Sequence, residues 1–98
     1  MAVVEVSITP LGTGIGVSRF VAGALRRLKA SGLHYQLTPM GTVIEGDLDE
    51  ILRVVRLMHE SPFNEGAQRV STQIKIDDRR DVKTHTLAYK VRSVEEKL

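Results

Sequence analysis

The sequence predicts an α+β fold, a four-stranded antiparallel sheet with two helices on one face and a further helix at the C-terminus. Three observations predict it. Apolar residues alternate with period two in four short runs, and recur at three- and four-residue steps in two longer ones. Those runs follow one another in the order β-α-β-β-α-β, and right-handed crossovers then lay both helices on the same side of the sheet. The middle two strands are joined by a turn too short for anything but a hairpin, which sets the pairing antiparallel.

The first strand is Val3 to Thr9, a β-branched run stopped by Pro10, with Val4, Val6 and Ile8 on one face and Glu5, Ser7 and Thr9 on the other. Leu11 to Gly16 is a loop by its three glycines. The first helix shows Val17, Phe20, Val21, Ala24, Leu25 and Leu28 in a stripe, and Gly32 supplies its left-handed stop. Tyr35 to Thr38 and Thr42 to Glu45 are the hairpin arms around Pro39-Met40-Gly41, where proline presets one turn position and glycine accepts a positive φ. A second helix starts behind Asp47, with Glu50 at capping-box spacing, and buries Leu48, Ile51, Leu52, Val55 and Met58 with Val54 beside them. Ser61-Pro62 is expected to end it. Arg69 to Ile76 is the last strand, with Val70, Thr72, Ile74 and Ile76 on one face. From about Thr84 a narrow stripe of Leu87, Val91, Val94 and Leu98 predicts the added helix. This order is the ferredoxin-like arrangement, read with the first and last strands central and the hairpin strands at the edges. All 98 residues form a single expected domain, without repeat or linker.

Composition excludes several functions. A net charge of +2 spread evenly along the chain and 4% aromatic residues argue against a nucleic-acid surface. The absence of cysteine removes disulfides, thiolate metal sites and a cysteine nucleophile. No apolar run reaches the length of a membrane span, so no membrane partner is expected and a cytoplasmic location follows by default. His34, His59 and His85 lie in different elements without metal-ligand spacing, and no metal site is expected.

The sheet face away from the helices carries Glu5, Ser7, Gln36, Thr38, Val43, Glu45, Ser71, Gln73 and Lys75. Hydroxyls and amides outnumber charges there, unlike most freely solvated faces. The reading is a surface covered by a second subunit that leaves hydrogen-bonding groups for a small polar ligand, against a plain solvated face. Glu5 and Glu45 are read as structural partners of Lys75 rather than as an acid/base pair. The glycine loop matches neither the dinucleotide nor the Walker pattern, and is read as a crossover needing small residues before a phosphate cradle. The Asp77 to Asp81 cluster is either a solvated turn with cancelling charges or an ion-pair network between subunits.

V-S-I-T-P-L-G-T-G at Val6 to Gly14, L-T-P-M-G-T-V-I-E-G-D at Leu37 to Asp47, and I-K-I-D-D-R-R-D at Ile74 to Asp81 together resemble the thiamine-binding protein family. The resemblance covers nearly the whole chain. It implies a ferredoxin-like domain that pairs sheets across subunits into homodimers or homotetramers, and binds thiamine or its hydroxymethylpyrimidine part without catalysis or a cofactor. Thiamine joins an aminopyrimidine, which needs paired donors and acceptors, to a thiazolium cation, which favours a carboxylate. On that basis Ser7, Pro10, Leu11, Gly12, Thr13, Thr38, Met40, Gly41, Thr42 and Glu45 are expected to border the pocket. Ser7, Thr38 and Glu45 are the candidates for direct polar contact, and alternation turns Thr42 towards the helices. Two other readings compete. One is an oligomeric structural or regulatory module with ligand binding secondary. The other is an acylphosphatase-type enzyme, which wants an arginine in the first loop and a nearby asparagine; Leu11 to Gly16 lacks the arginine, and Asn64 is the only asparagine.

Overall fold

A computed structural model describes residues 1–81 and 86–98; the expected helix start near Thr84, and His85, lie outside the described residues. Strand β1 (Ala2–Pro10) buries Val4 and Val6 on one side and exposes Glu5 on the other, as alternation requires. Helix α1 (Ser18–Ser31) buries Phe20, Ala24 and Leu28, and ends where Gly32 adopts a φ of 79° and donates its N–H to the Lys29 carbonyl. Strands β2 (His34–Thr38) and β3 (Gly41–Gly46) form the hairpin. Helix α2 (Leu48–Asn64), strand β4 (Val70–Asp78) and helix α3 (Leu87–Glu95) complete the order. The fold is the expected ferredoxin-like α+β sandwich. None of the described helices is long and apolar enough to cross a membrane.

The core lies between the sheet and α1 and α2, where Val4, Val6 and Ile44 meet Ala24, Leu28, Ile51, Val54, Val55 and Met58. The Asp47 carboxylate accepts the Glu50 N–H at 3.1 Å, which gives α2 the predicted N-terminal cap. Three expectations are corrected. The strand order is β2-β3-β1-β4, so β1 and β3 are central and β2 and β4 are the edges. Each crossover carries the chain over one strand's width: β3 fills the gap between β1 and β2, and α2 delivers β4 to the far side of β1. Ile74 and Ile76 therefore face the helix layer but remain 45% exposed along an open edge.

The second correction concerns α2, which runs through Ser61 and Pro62 to Asn64. Proline forfeits one helical bond, and the complete burial of its ring against the core offsets that loss. The third concerns Gly41. It has no positive φ, and it is needed for space: a Cβ there would stand 3.0 Å from the Val6 carbonyl oxygen.

Helix α3 lies on the opposite side of the sheet from α1 and α2. Val3 points to that side yet is only 7% exposed. Its neighbours in register are Glu45 on β3 and Asp77 on β4. Glu45 accepts the Leu87 N–H at 2.6 Å, and Asp77 pairs with Lys90, so α3 crosses the sheet directly above Val3. No residue of α3 is itself fully buried, and Val91 and Val94 are exposed.

Candidate functional site

The site begins with a mismatch of strand lengths. β1 pairs with β4 along its whole length, from Ala2 opposite Asp78 to Pro10 opposite Val70. Its ladder with β3 stops at Val6 opposite Thr42. The hairpin turns back at Pro39 and Met40, so Ser7, Ile8 and Thr9 project past it and leave a notch in the sheet. Thr38 pins the turn: its hydroxyl donates to the Gly41 carbonyl at 2.8 Å and accepts the Met40 N–H at 3.3 Å.

A cleft of about 180 Å³ occupies the notch. Its inner wall is Val6, Ile8, Val21, Ala24, Leu25 and Met58, contributed by β1 and the two helices. Its rim is Ser7, Thr9, Val17 and the hairpin from Leu37 to Thr42. Four lining residues, Ser7, Thr9, Thr38 and Thr42, carry hydroxyls, of which that of Thr38 is taken up by the turn, and no lining residue is charged or aromatic. Such a lining suits a small, uncharged and partly polar molecule.

Of the residues predicted from sequence, Ser7, Thr38, Met40, Gly41 and Thr42 come together here. Thr42 is buried on the helix side, as alternation required. Pro10, Leu11, Gly12 and Thr13 do not line the cleft; the chain past Pro10 leans towards β4, where the Leu11 N–H bonds the Arg69 carbonyl at 2.8 Å. The Thr13 hydroxyl oxygen is buried there without a hydrogen-bond partner. Glu45 also stands apart from the cleft, its carboxylate committed to the N-terminus of α3 and 3.5 Å from the His34 ring. The site was expected on the sheet face away from α1 and α2, with Thr42 turned towards the helices; most of the wall of this cleft comes from the helix side.

The walls from Val21, Ala24, Leu25 and Met58 were missed as site residues because their spacing reads as core. The signal that finds them is the unequal reach of β1 and the hairpin. Elsewhere, Glu5 sits opposite Lys75 in register without an ion pair between them, and Glu45, expected beside Lys75, is held by Leu87 instead. His59 shares a hydrogen bond with the Thr72 hydroxyl at 2.7 Å and meets Phe63 edge-on. In the charged cluster Arg79 bonds Asp81 and Arg80 bonds Asp78, both at the surface, and the Asp81 carboxylate raises the Arg79 pKa above its ordinary value. Among the described residues no His, Asp and Glu cluster has the geometry to hold a metal.

The family model described as "Thiamine-binding protein" matches residues 4–95. The chain belongs to the thiamine-binding protein family. A UPF0045 protein of Staphylococcus xylosus is 48% identical, over 100% of this chain and 95% of its own length. The UPF0045 protein YqgV of Bacillus subtilis is also 48% identical, over 100% of this chain and 98% of its own. Among solved structures, the hypothetical protein MJ1052 of Methanocaldococcus jannaschii superposes with a TM-score of 0.89 at 42% identity, covering 97% of this chain and 96% of that one.

Proposed function

We propose that the protein binds thiamine, or its hydroxymethylpyrimidine part, without chemical conversion, and that the aminopyrimidine ring enters the notch beside β1. The observation that carries this reading is the uncharged cleft itself, with Ser7, Thr9 and Thr42 among its lining residues, in a chain of the thiamine-binding family. A neutral heterocycle loses little on entering such a space, whereas a thiazolium cation held inside would lack a counter-charge. The cation therefore stays at the mouth. There the exposed Glu5 flanks Gly41, with its Cγ 3.7 Å from where a Cβ of that glycine would lie. Isothermal titration of the full chain with thiamine tests the reading. Saturable heat that weakens about 5- to 10-fold in Ser7→Ala, the loss of one ordinary hydrogen bond, supports it; no heat with the unsubstituted chain removes it.

A second reading, an oligomeric module in which ligand binding is secondary, is favoured by the apolar surface a single copy leaves open. Val91 and Val94 on α3, and Ile74 and Ile76 on the β4 edge, are all exposed. In the combined account the protein is a homodimer or homotetramer joined through its sheets, with the cleft loaded in each copy. Light scattering with and without thiamine separates the two. An assembly whose size and melting temperature ignore saturating thiamine supports the structural module.

A further inference from the structure

The main chain of β1 carries more information about the ligand than the side chains do. In an antiparallel ladder each residue directs its N–H and C=O to the same neighbour, and successive residues alternate between the two neighbours. The Val6 carbonyl oxygen lies 3.0 Å from the Cβ position of Gly41, so Val6 faces β3. The Leu11 N–H bonds Arg69 at the foot of β4, so the odd-numbered residues face β4. Ile8, two residues after Val6, must then direct its N–H and C=O to the β3 side. The ladder with β3 has already ended at Val6, and what stands there is the cleft. Pro10 is next on the same edge and has no N–H, so between Val6 and the end of β1 this edge offers one main-chain donor. Peptide groups at a half-buried position need partners.

We infer that the Ile8 main chain reads the ligand directly, and that the ligand class is a ring nitrogen adjacent to an amino group. The Ile8 N–H donates to the ring nitrogen, and the amino N–H donates to the Ile8 carbonyl, as a strand of a neighbouring sheet would do. An aminopyrimidine lying edge-on to β1 makes both bonds at once, with its faces between the Val21 and Leu25 side and the hairpin rim. The inference rests on the proposed binding of thiamine or its pyrimidine part and adds the atoms that select it. Because the reading groups are backbone, the identity of the side chain at position 8 matters for packing and not for recognition.

The test is an amide-resolved NMR titration of the full-length chain with thiamine and, separately, with thiamine lacking the pyrimidine amino group. With thiamine, the Ile8 amide proton should move downfield and its solvent exchange should slow at least about 10-fold. The Ser7 and Thr9 amides, already paired with β4, should keep their protection. The desamino compound should bind at least about 10-fold more weakly, the loss of one well-formed bond. Thiamine binding that leaves the Ile8 amide exchanging as before, or desamino binding of equal strength, overturns the inference while leaving the binding function standing. No thiamine binding at all removes both.

Discussion

Replacing Glu45 by alanine should release helix α3 and little else. The carboxylate is 16% exposed and accepts the first N–H of α3 at 2.6 Å, at the positive end of the helix dipole. A charge-assisted bond of this kind contributes about 1.5–3 kcal/mol, and the dipole adds about 0.3–1 kcal/mol. Part of that returns when water solvates the freed Leu87 N–H, leaving a net cost of about 2 kcal/mol for the docking of α3. Among the described residues, Lys90 also pairs with Asp77 at the surface and no residue of α3 is fully buried, so the Glu45 bond is the strongest of the contacts seen there. A loss of about 2 kcal/mol raises the opening equilibrium roughly 30-fold. Native-state hydrogen exchange measures it: amides from Tyr89 to Val94 should lose about 30-fold in protection, while those of β1 and α2 stay unchanged. Glu45→Gln, which keeps an acceptor but no charge, should fall between. Unchanged exchange in α3, or a loss spread evenly over the sheet and α2, refutes the clasp.

Other substitutions test the fold around the cleft. Gly41→Ala puts a methyl group 3.0 Å from the Val6 oxygen and should cost about 1–3 kcal/mol in a urea titration, as overpacking does; an unchanged midpoint would show that the hairpin sits further from β1. Ile44→Ala, at a fully buried position, should cost about 2–5 kcal/mol, read as a lowered melting temperature. Ile76→Ala, on the open edge of the same sheet, should cost under about 1 kcal/mol in a dilute monomer; a larger loss that grows with protein concentration would show a second copy covering that edge. Asp47→Ala removes the cap on Glu50 and should cost about 1 kcal/mol.

Local pattern carried most of the fold. The alternation in β1 and β3, most of the stripes of α1 and α2, and the Gly32 and Asp47 caps are set by neighbours a few residues away and appear where the pattern places them; Leu52, expected in the buried stripe of α2, is instead 37% exposed. Strand order depends on how each crossover passes over the sheet, which period and propensity do not encode, and β3 and β4 exchanged their expected places for that reason. Pro62 reads as a helix stop in isolation, and burial of its ring in the last turn reverses that. The cleft proposed as the site was half legible. Ser7, Thr38, Met40, Gly41 and Thr42 are near one another in the hairpin and strand motifs, and they meet in the cleft. Glu45 reads as a partner of Lys75 and as a ligand contact because its actual partner, Leu87, lies 42 residues away, beyond the reach of any spacing rule.

The most direct test of the central claim is a crystal structure of the protein grown with saturating thiamine. The account predicts the pyrimidine ring in the notch, edge-on to Ile8 and walled by Val21 and Met40, with the thiazolium outside near Glu5. Thiamine ordered at a different surface, with the notch between β1 and the hairpin holding only water, would contradict it.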